Sequence, residues 1–353
     1  SFLFYKAIDI TISLAPWKIS PFISLSSKII SYRKKYRYQA NQSFAMEYLE
    51  AKGLPPLAER SLLSDYPDDV FRKFEMTGLL IEHGSFNYKY YNFSQYHQEK
   101  VNTLLEYYKD YDFKHFDSKE EYYEYLYDIV IPWENNETIR KKIIEAKAKV
   151  LSITLDETWT LNQKEEMLDR IFYSNALSKA VEKYDIKLLF KELLILSGIV
   201  KEDSKFSDIS EPLRLEYLLA LIIGKQYGTD GLISNIIYNE EGTPLHCAPG
   251  GKCDIQFIHR EGSYILEPTM QRGRSQQLNS ETTNIARHVR KENQGGVVNY
   301  RVMMVAPVVH PDVIDYFKYA SHTNNVSLLT ATINRVVGLF NDSPSISYLN
   351  DNF

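Results

Sequence analysis

The sequence predicts a mixed α/β protein, with a helical N-terminal part followed by a C-terminal part that carries a mixed sheet flanked by helices. Three observations lead there. Residues 94–205 show helical spacing of apolar side chains almost without break. From Leu232 onward the apolar runs shorten, alternate, and are bounded by Gly, Pro and Asn turn signals. The C-terminal order is helix, hairpin, helix, strand, helix, strand, and such an order packs helices on a sheet. The chain of 353 residues is long enough for two or three domains with sizeable cores.

Taken in order, residues 2–27 are apolar but interrupted by Lys6, Asp9, Pro16, Lys18 and Pro21. No uninterrupted run reaches transmembrane length, and the order of a signal peptide is missing, so no membrane role is expected. The sequence opens on Ser1 rather than Met, which predicts a start inside a longer or processed protein. Lys28 to Arg37 interleaves Arg33, Lys34 and Lys35 with Tyr32 and Tyr36, a basic linker suited to a nucleic-acid backbone or to solvent. Residues 1–40 are read as this linker and what precedes it.

Residues 41–113 read as a winged-helix-like linker part. Helices are expected over Asn41–Ala51, Leu57–Leu63 and Asp68–Met76, then a hairpin from Leu79–Glu82 and Tyr88–Phe93. The third helix sets Arg72 and Lys73 against Asp68, Asp69 and Glu75, a weak charge pattern for a DNA reader. Residues 114–205 form a helical linker, with helices over Ser118–Ile131, Asn136–Leu155, Thr160–Tyr184 and Ile186–Ser197, preceded by Gln98–Tyr111. Their charge runs read as solvated faces.

Residues 206–353 carry the chemistry. Glu211–Lys225 is an apolar helix in which Glu216 is a charge that needs a partner. Leu232–Tyr238 is a strand, Glu240-Glu241-Gly242 a turn, and Pro249-Gly250-Gly251 a loop where backbone can approach a ligand. Asp254 opens an alternating strand, Glu261-Gly262 turns it, and Ser263–Leu266 returns to Glu267. Carboxylates at the start of one strand and the end of its hairpin partner can lie side by side. Such a pair suits a hard divalent cation that keeps water for a substrate phosphate. The competing reading is a solvated surface hairpin. Gln271–Gln277 reads as a mobile polar loop, Glu281–Glu292 as a helix with Glu281 and His288 on one face, Asn299–Ala306 as a buried strand, Asp312–Ala320 as a helix, Val326–Thr330 as a strand and Ala331–Phe340 as the closing helix. The tail after Asn341 reads as polar and frayed.

These residues carry a resemblance. The stretch "RLEYLLALIIG" around Glu216, "PLHCAPGGKCD" ending on Asp254, "LEPT" around Glu267 thirteen residues later, and Glu281 followed by Arg287-His288 resemble type IIS restriction and nicking endonucleases of the AlwI kind. Their cleavage domain has the PD-(D/E)XK nuclease fold. The resemblance is close over the C-terminal part and looser over residues 38–110. It implies that Asp254, Glu267 and the Pro268 carbonyl bind Mg²⁺, for which Mn²⁺ or Ca²⁺ can stand in within crystals. Glu216 and Glu281 would complete the acidic cluster, and His288 would meet the scissile phosphate or the attacking water. Arg272, Arg274 and Arg287 would contact DNA phosphates, with Arg290 and Lys291 nearby. It further implies double-stranded DNA as substrate, one strand cut per active site, a transient homodimer or small-subunit partner for double-strand cutting, and a bacterial or archaeal cytoplasm. The family places its sequence-recognition domain before the linker, so residues 1–40 would be a remnant of that region with the basic linker, most of the domain being absent from this sequence.

Two departures stand out. The Lys of the general motif is Thr269 here, as in the narrower family, and one extra residue separates Glu267 from Glu281. Thr269 at the Lys position, together with the expected absence of most of the recognition domain, sustains a reading of another class, a catalytically inactive DNA-binding or assembly module with a nuclease-like fold. A PD-(D/E)XK hydrolase acting on RNA or modified DNA is a third reading. Composition does not choose among them: the net charge is −5 with 25% charged residues, and local patches matter more than the total. Two cysteines, Cys247 and Cys253, make no disulfide framework. With His246 and His259 they lack the paired spacing of a structural zinc site.

Overall fold

A computed structural model describes residues 77–83, 90–110, 116–247, 252–282, 285, 300–324, 326–341 and 344–352. The expected basic linker, the three helices between Asn41 and Met76, and the glycine loop 249–251 lie outside the described residues. The chain divides into two compact units, residues 1–169 and 170–353. Among the described residues no helix is long and apolar enough to cross a membrane.

In the first unit, β1 (Leu80–His83) pairs antiparallel with β2 (Tyr90–Phe93), Leu80 opposite Phe93 and His83 opposite Tyr90. This is the expected hairpin. Helices α1 (Gln98–Tyr107), α2 (Lys119–Tyr127) and α3 (Glu137–Leu151) follow, and α4 (Leu161–Lys183) begins here. Ser118 and Asn136 cap α2 and α3, their side chains accepting from Glu121 N–H and from Thr138 and Ile139 N–H. The unit is pinned by a buried ionic knot. Lys147, 2% exposed, places Nζ 2.7 Å from Asp169 Oδ1 and lies over the Tyr96 ring. Tyr96 Oη donates to the same carboxylate oxygen at 2.7 Å. Burial opposes ionisation of Asp169, but Lys147 and the two hydrogen bonds outweigh it and hold the carboxyl below its ordinary range.

The second unit takes in the rest of α4, then α5 (Ile186–Ser197) and α6 (Glu211–Tyr227). The expected boundary at residue 206 thus falls inside a single compact body, because α4, α5 and α6 share one core with the sheet. Asp185 caps α5 and Gly198, at φ 86°, ends it in the left-handed conformation. Pro212 stands in the first turn of α6, where its missing N–H costs nothing. From Leu213 to Gly224 every residue of α6 is buried, which is why the helix reads as apolar all round.

Five strands form a mixed sheet in the order β3 (Leu232–Ser234), β6 (Ile255–His259), β7 (Gly262–Pro268), β8 (Tyr300–Ala306), β9 (Ser327–Thr332); β4 (Ile237–Tyr238) and β5 (Pro244–His246) pair separately. The first three run antiparallel, and β7, β8 and β9 run parallel. A short helix α7 (Arg274–Gln276) continues into a π-helical turn, Gln277–Glu281. Helices α8 (Pro311–Asn324), α9 (Ile333–Phe340) and α10 (Ile346–Asn352) complete the unit. Alternation splits the sheet's side chains between two cores. Ile255, Phe257, Tyr264, Leu266, Met303 and Val305 pack with α5, α6 and α9. Ile265, Val302, Met304 and Leu328 pack with Val313 and Phe317 of α8.

Three expectations are corrected. The single strand Leu232–Tyr238 is broken. Asn235 leaves the sheet, its N–H donating to Asp254 O at 3.0 Å and its side-chain amide to Cys253 O at 2.6 Å. Ile237 and Tyr238 then pair with β5 instead. The polar stretch Gln271–Gln277 is not a bare loop, because α7 forms there and Gln277 is fully buried. The C-terminal tail is a docked helix, not a frayed end. Ile346 and Leu349, three apart, join the core on the α6 side, and Asn350 bonds the β6–β7 turn at Glu261 O, 2.9 Å.

Candidate active site

The β6–β7 hairpin is set by its register, Ile255 opposite Leu266 and His259 opposite Gly262. Continuing that register by one residue sets Asp254 opposite Glu267. Opposed residues of an antiparallel pair share a face, so the two carboxylates stand on the same side of the sheet. Along β7, Tyr264 and Leu266 enter the core under α6 and Ile265 the core under α8. Glu267 follows the parity of Ile265, at the carboxyl end of β7, where its neighbour on β8 is Met304. Glu267 is 6% exposed and Asp254 half-buried. A hairpin of solvated surface carboxylates does not describe this pair.

Glu216 is 5% exposed on α6 between Leu215 and Tyr217, both fully buried. Its surroundings come from the β4–β5 hairpin. The Cys247 thiol lies just past β5, where its electrostatics respond to Glu216 and to the charge of Asp254. Burial first, and then Glu216, push that thiol up to about 12. The Tyr238 hydroxyl, which bonds Ser234 Oγ at 2.8 Å, is pushed up chiefly by burial and further by the nearby Glu216 charge.

Downstream of Glu267 the backbone is held on both sides. Pro268 is buried opposite Val305, and Thr269 N–H donates to Val305 O at 2.8 Å. Thr269 Oγ1 accepts from Gln271 N–H at 3.2 Å, so the side chain at the Lys position of the general motif serves the turn that follows. The amide of Gln277, 0% exposed, donates to Gln271 O at 2.8 Å and Val308 O at 2.6 Å, and accepts from His310 N–H at 3.2 Å. It clasps the segment after Glu267 to the one entering α8.

The expected phosphate contacts divide. Arg272 is exposed. Arg274 is engaged in an ion pair with Asp312 at the start of α8, and the hydrogen bond from Arg274 holds the Asp312 carboxyl below its ordinary range. Arg287 and His288 lie outside the described residues. Glu281 closes the π-helical turn, and its side chain is not described.

Among the described residues no three His, Cys, Asp or Glu side chains gather closely enough to hold a metal ion. Two carboxylates and a backbone carbonyl nonetheless form a hard-oxygen donor set. Mg²⁺ commonly takes only one or two carboxylates and completes its shell with water and substrate phosphate. By donor type and register, Asp254, Glu267 and the Pro268 carbonyl fit such an ion.

Reading the sequence missed two of these residues. Cys247 was weighed only for disulfide and zinc chemistry, and Gln277 was placed in a mobile polar loop. A polar side chain fully buried by its fold leaves little local signal.

A family model described as AlwI restriction endonuclease matches residues 21–327. Among solved structures, the small subunit of the heterodimeric restriction endonuclease R.BspD6I is similar over 46% of this chain and 85% of that one, at 17% identity and a TM-score of 0.38. No curated protein matches the chain.

Proposed function

The chain belongs to the AlwI restriction endonuclease family, and from that premise we propose that it is a site-specific DNA endonuclease of type IIS or nicking style. It hydrolyses phosphodiester bonds with Mg²⁺, one strand per active site, on a PD-(D/E)XK cleavage domain. The observation that supports the chemistry is the hairpin register that sets Asp254 and buried Glu267 side by side.

A divalent cation held here would supply activation of the attacking water and stabilisation of charge on the phosphoryl oxygens. The chain supplies the rest. Asp254 and Glu267 would hold the cation, and the carbonyl of Pro268, a residue paired with Val305 in the β7–β8 ladder, would add an oxygen. Glu216, buried on α6, adds negative charge to the cluster in this reading. Thr269 does not provide the ammonium that would otherwise orient the nucleophile, so that role falls to the metal, to Glu281 or to His288 in this reading. Arg272, exposed beyond the turn, and Arg287 take flanking phosphates, and Arg274 joins them once released from Asp312. A single site of this kind cuts one strand. A second cleavage domain, from another copy or a partner subunit, completes a double-strand break.

The test is supercoiled plasmid incubated with the full chain in Mg²⁺, in Mn²⁺ and in chelator. Nicked or linear DNA in either metal, and none in chelator, is expected. Plasmid retarded on a gel but left intact in both metals would overturn the endonuclease reading in favour of an inactive DNA-binding module. Degradation of a transcript in place of plasmid would move the substrate to RNA.

A further inference from the structure

Helix α2, in the first unit, buries none of its residues. Its inner side rests on one ring, with Tyr122 and Tyr125 meeting Phe116 at centroid distances of 5.3 and 5.0 Å. The outer side is a stripe of carboxylates and rings. Glu120, Tyr123, Glu124 and Tyr127 stand at i, i+3, i+4 and i+7, so they share one helix face. All four are exposed, Tyr127 at 90%. Ile129, Val130 and Ile131 continue past the helix as exposed apolar side chains. That end is held in place, because the Tyr108 hydroxyl donates to Val130 O at 2.5 Å. Glu121 is committed to the helix start, its carboxylate accepting from Asp117 N–H at 3.0 Å.

A contiguous run of exposed apolar side chains marks a docking surface, and its charge selects what docks. From Asp117 to Asp128 five carboxylates stand against Lys119 alone. Such a face repels nucleic acid, an anionic lipid surface and the same face of a second copy. It suits an occupant that interleaves cations with apolar and aromatic side chains. Lys28 to Tyr38 is a stretch of that kind. It carries Lys28, Arg33, Lys34, Lys35 and Arg37 with no acid, among Ile29, Ile30, Tyr32 and Tyr36. It precedes the first described residue, Thr77, and belongs to the same unit as α2. We propose that the outer face of α2 docks residues 28–38 of its own chain, carboxylates against Lys and Arg, and tyrosine rings against the guanidinium groups. Exposed ion pairs are individually weak, but a tether within one chain raises their effective concentration. The same cations suit a DNA backbone, so α2 and DNA compete for them. The DNA-free protein holds the stretch on α2, and phosphates displace it.

The experiment uses the full chain in chelator, so it is read without cleavage and does not depend on the metal-nuclease reading. A zero-length carbodiimide joins a lysine amine to a carboxylate as an amide, with loss of water, and mass spectrometry identifies the linked peptides. Duplex binding is measured alongside by gel shift at physiological salt. In the parent, Lys28, Lys34 or Lys35 should link to Glu120, Glu124 or Asp128, and excess short duplex should abolish the links. In Glu120→Gln/Glu124→Gln the links to α2 should be lost, and duplex binding should tighten by about threefold or more. The control Glu134→Gln/Glu145→Gln removes the same charge from two other exposed positions of the unit and should behave as the parent. A folded parent without links between residues 28–38 and α2 would overturn the proposal. So would links found only between isotopically light and heavy chains, which place the contact between two copies. Links that survive excess duplex, or equal tightening by the control pair, would overturn the competition with DNA.

Discussion

Glu216 and His97 show two ways in which this chain buries a titratable group. Glu216 is a carboxylate 5% exposed, and its charge in an apolar run was visible in the sequence. His97, in the first unit, stays neutral. Burial chiefly, then the charges of Lys147 and Lys100, lower its pKa to about 3, against the pull of Asp169. The sign of the consequence is definite. Above about pH 6.5, the ordinary value, folded and unfolded chains both hold neutral histidine. As pH falls below it, the unfolded chain gains a proton that the folded chain refuses, and stability drops toward pH 3 by at most about 1.4 kcal/mol per unit. All three tryptophans, Trp17, Trp133 and Trp159, precede Arg170, so their fluorescence reports the first unit. Urea midpoints between pH 7 and pH 5 should fall more steeply in the parent than in His97→Gln. Equal slopes would show that His97 is not the linked group.

At the scale of elements, the hairpin was legible and its supports were not. Alternation from Asp254, the Glu261-Gly262 turn and the return to Glu267 fix a register by local chemistry, so both the strands and the pairing of the carboxylates follow from sequence. The break at Asn235 depends on carbonyls of residues 253 and 254, far along the chain, and no local period announces it. Gln277 is similar, a polar residue among polar neighbours until the β7 and β8 ends close around it. Gln277→Leu removes three hydrogen bonds at once, leaving two carbonyls and an N–H without their partner. At about 1–3 kcal/mol for each buried group left unpaired, this variant should melt well below the parent and lose DNA cleavage with it. Unchanged melting would mean that the clasp does not hold the segment. The C-terminal helix hid behind polar composition, although Ile346 and Leu349 already had helical spacing. Leu349, 1% exposed, should cost about 2–5 kcal/mol as Leu349→Ala, read by chemical denaturation. A loss below about 0.5 kcal/mol, typical of surface positions, would return the tail to the frayed end that its composition suggested.

For the whole molecule, two units divide within α4, and the second contains the mixed sheet with every described residue of the candidate site. The general architecture was legible because apolar spacing changes period near Leu232. The boundary between units was not, since α4 and α5 look like linker helices until their shared core with α6 is seen. The central claim is that Glu267, paired in register with Asp254, makes this body a metal-dependent nuclease. The most direct measurement compares the parent with Glu267→Gln, which keeps size and removes charge, on supercoiled plasmid in saturating Mg²⁺, with DNA binding followed in parallel. The account predicts that the variant binds DNA as the parent does and leaves the plasmid uncut, while the parent first accumulates nicked circles. A Glu267→Gln variant that cuts at the parent's rate would contradict it.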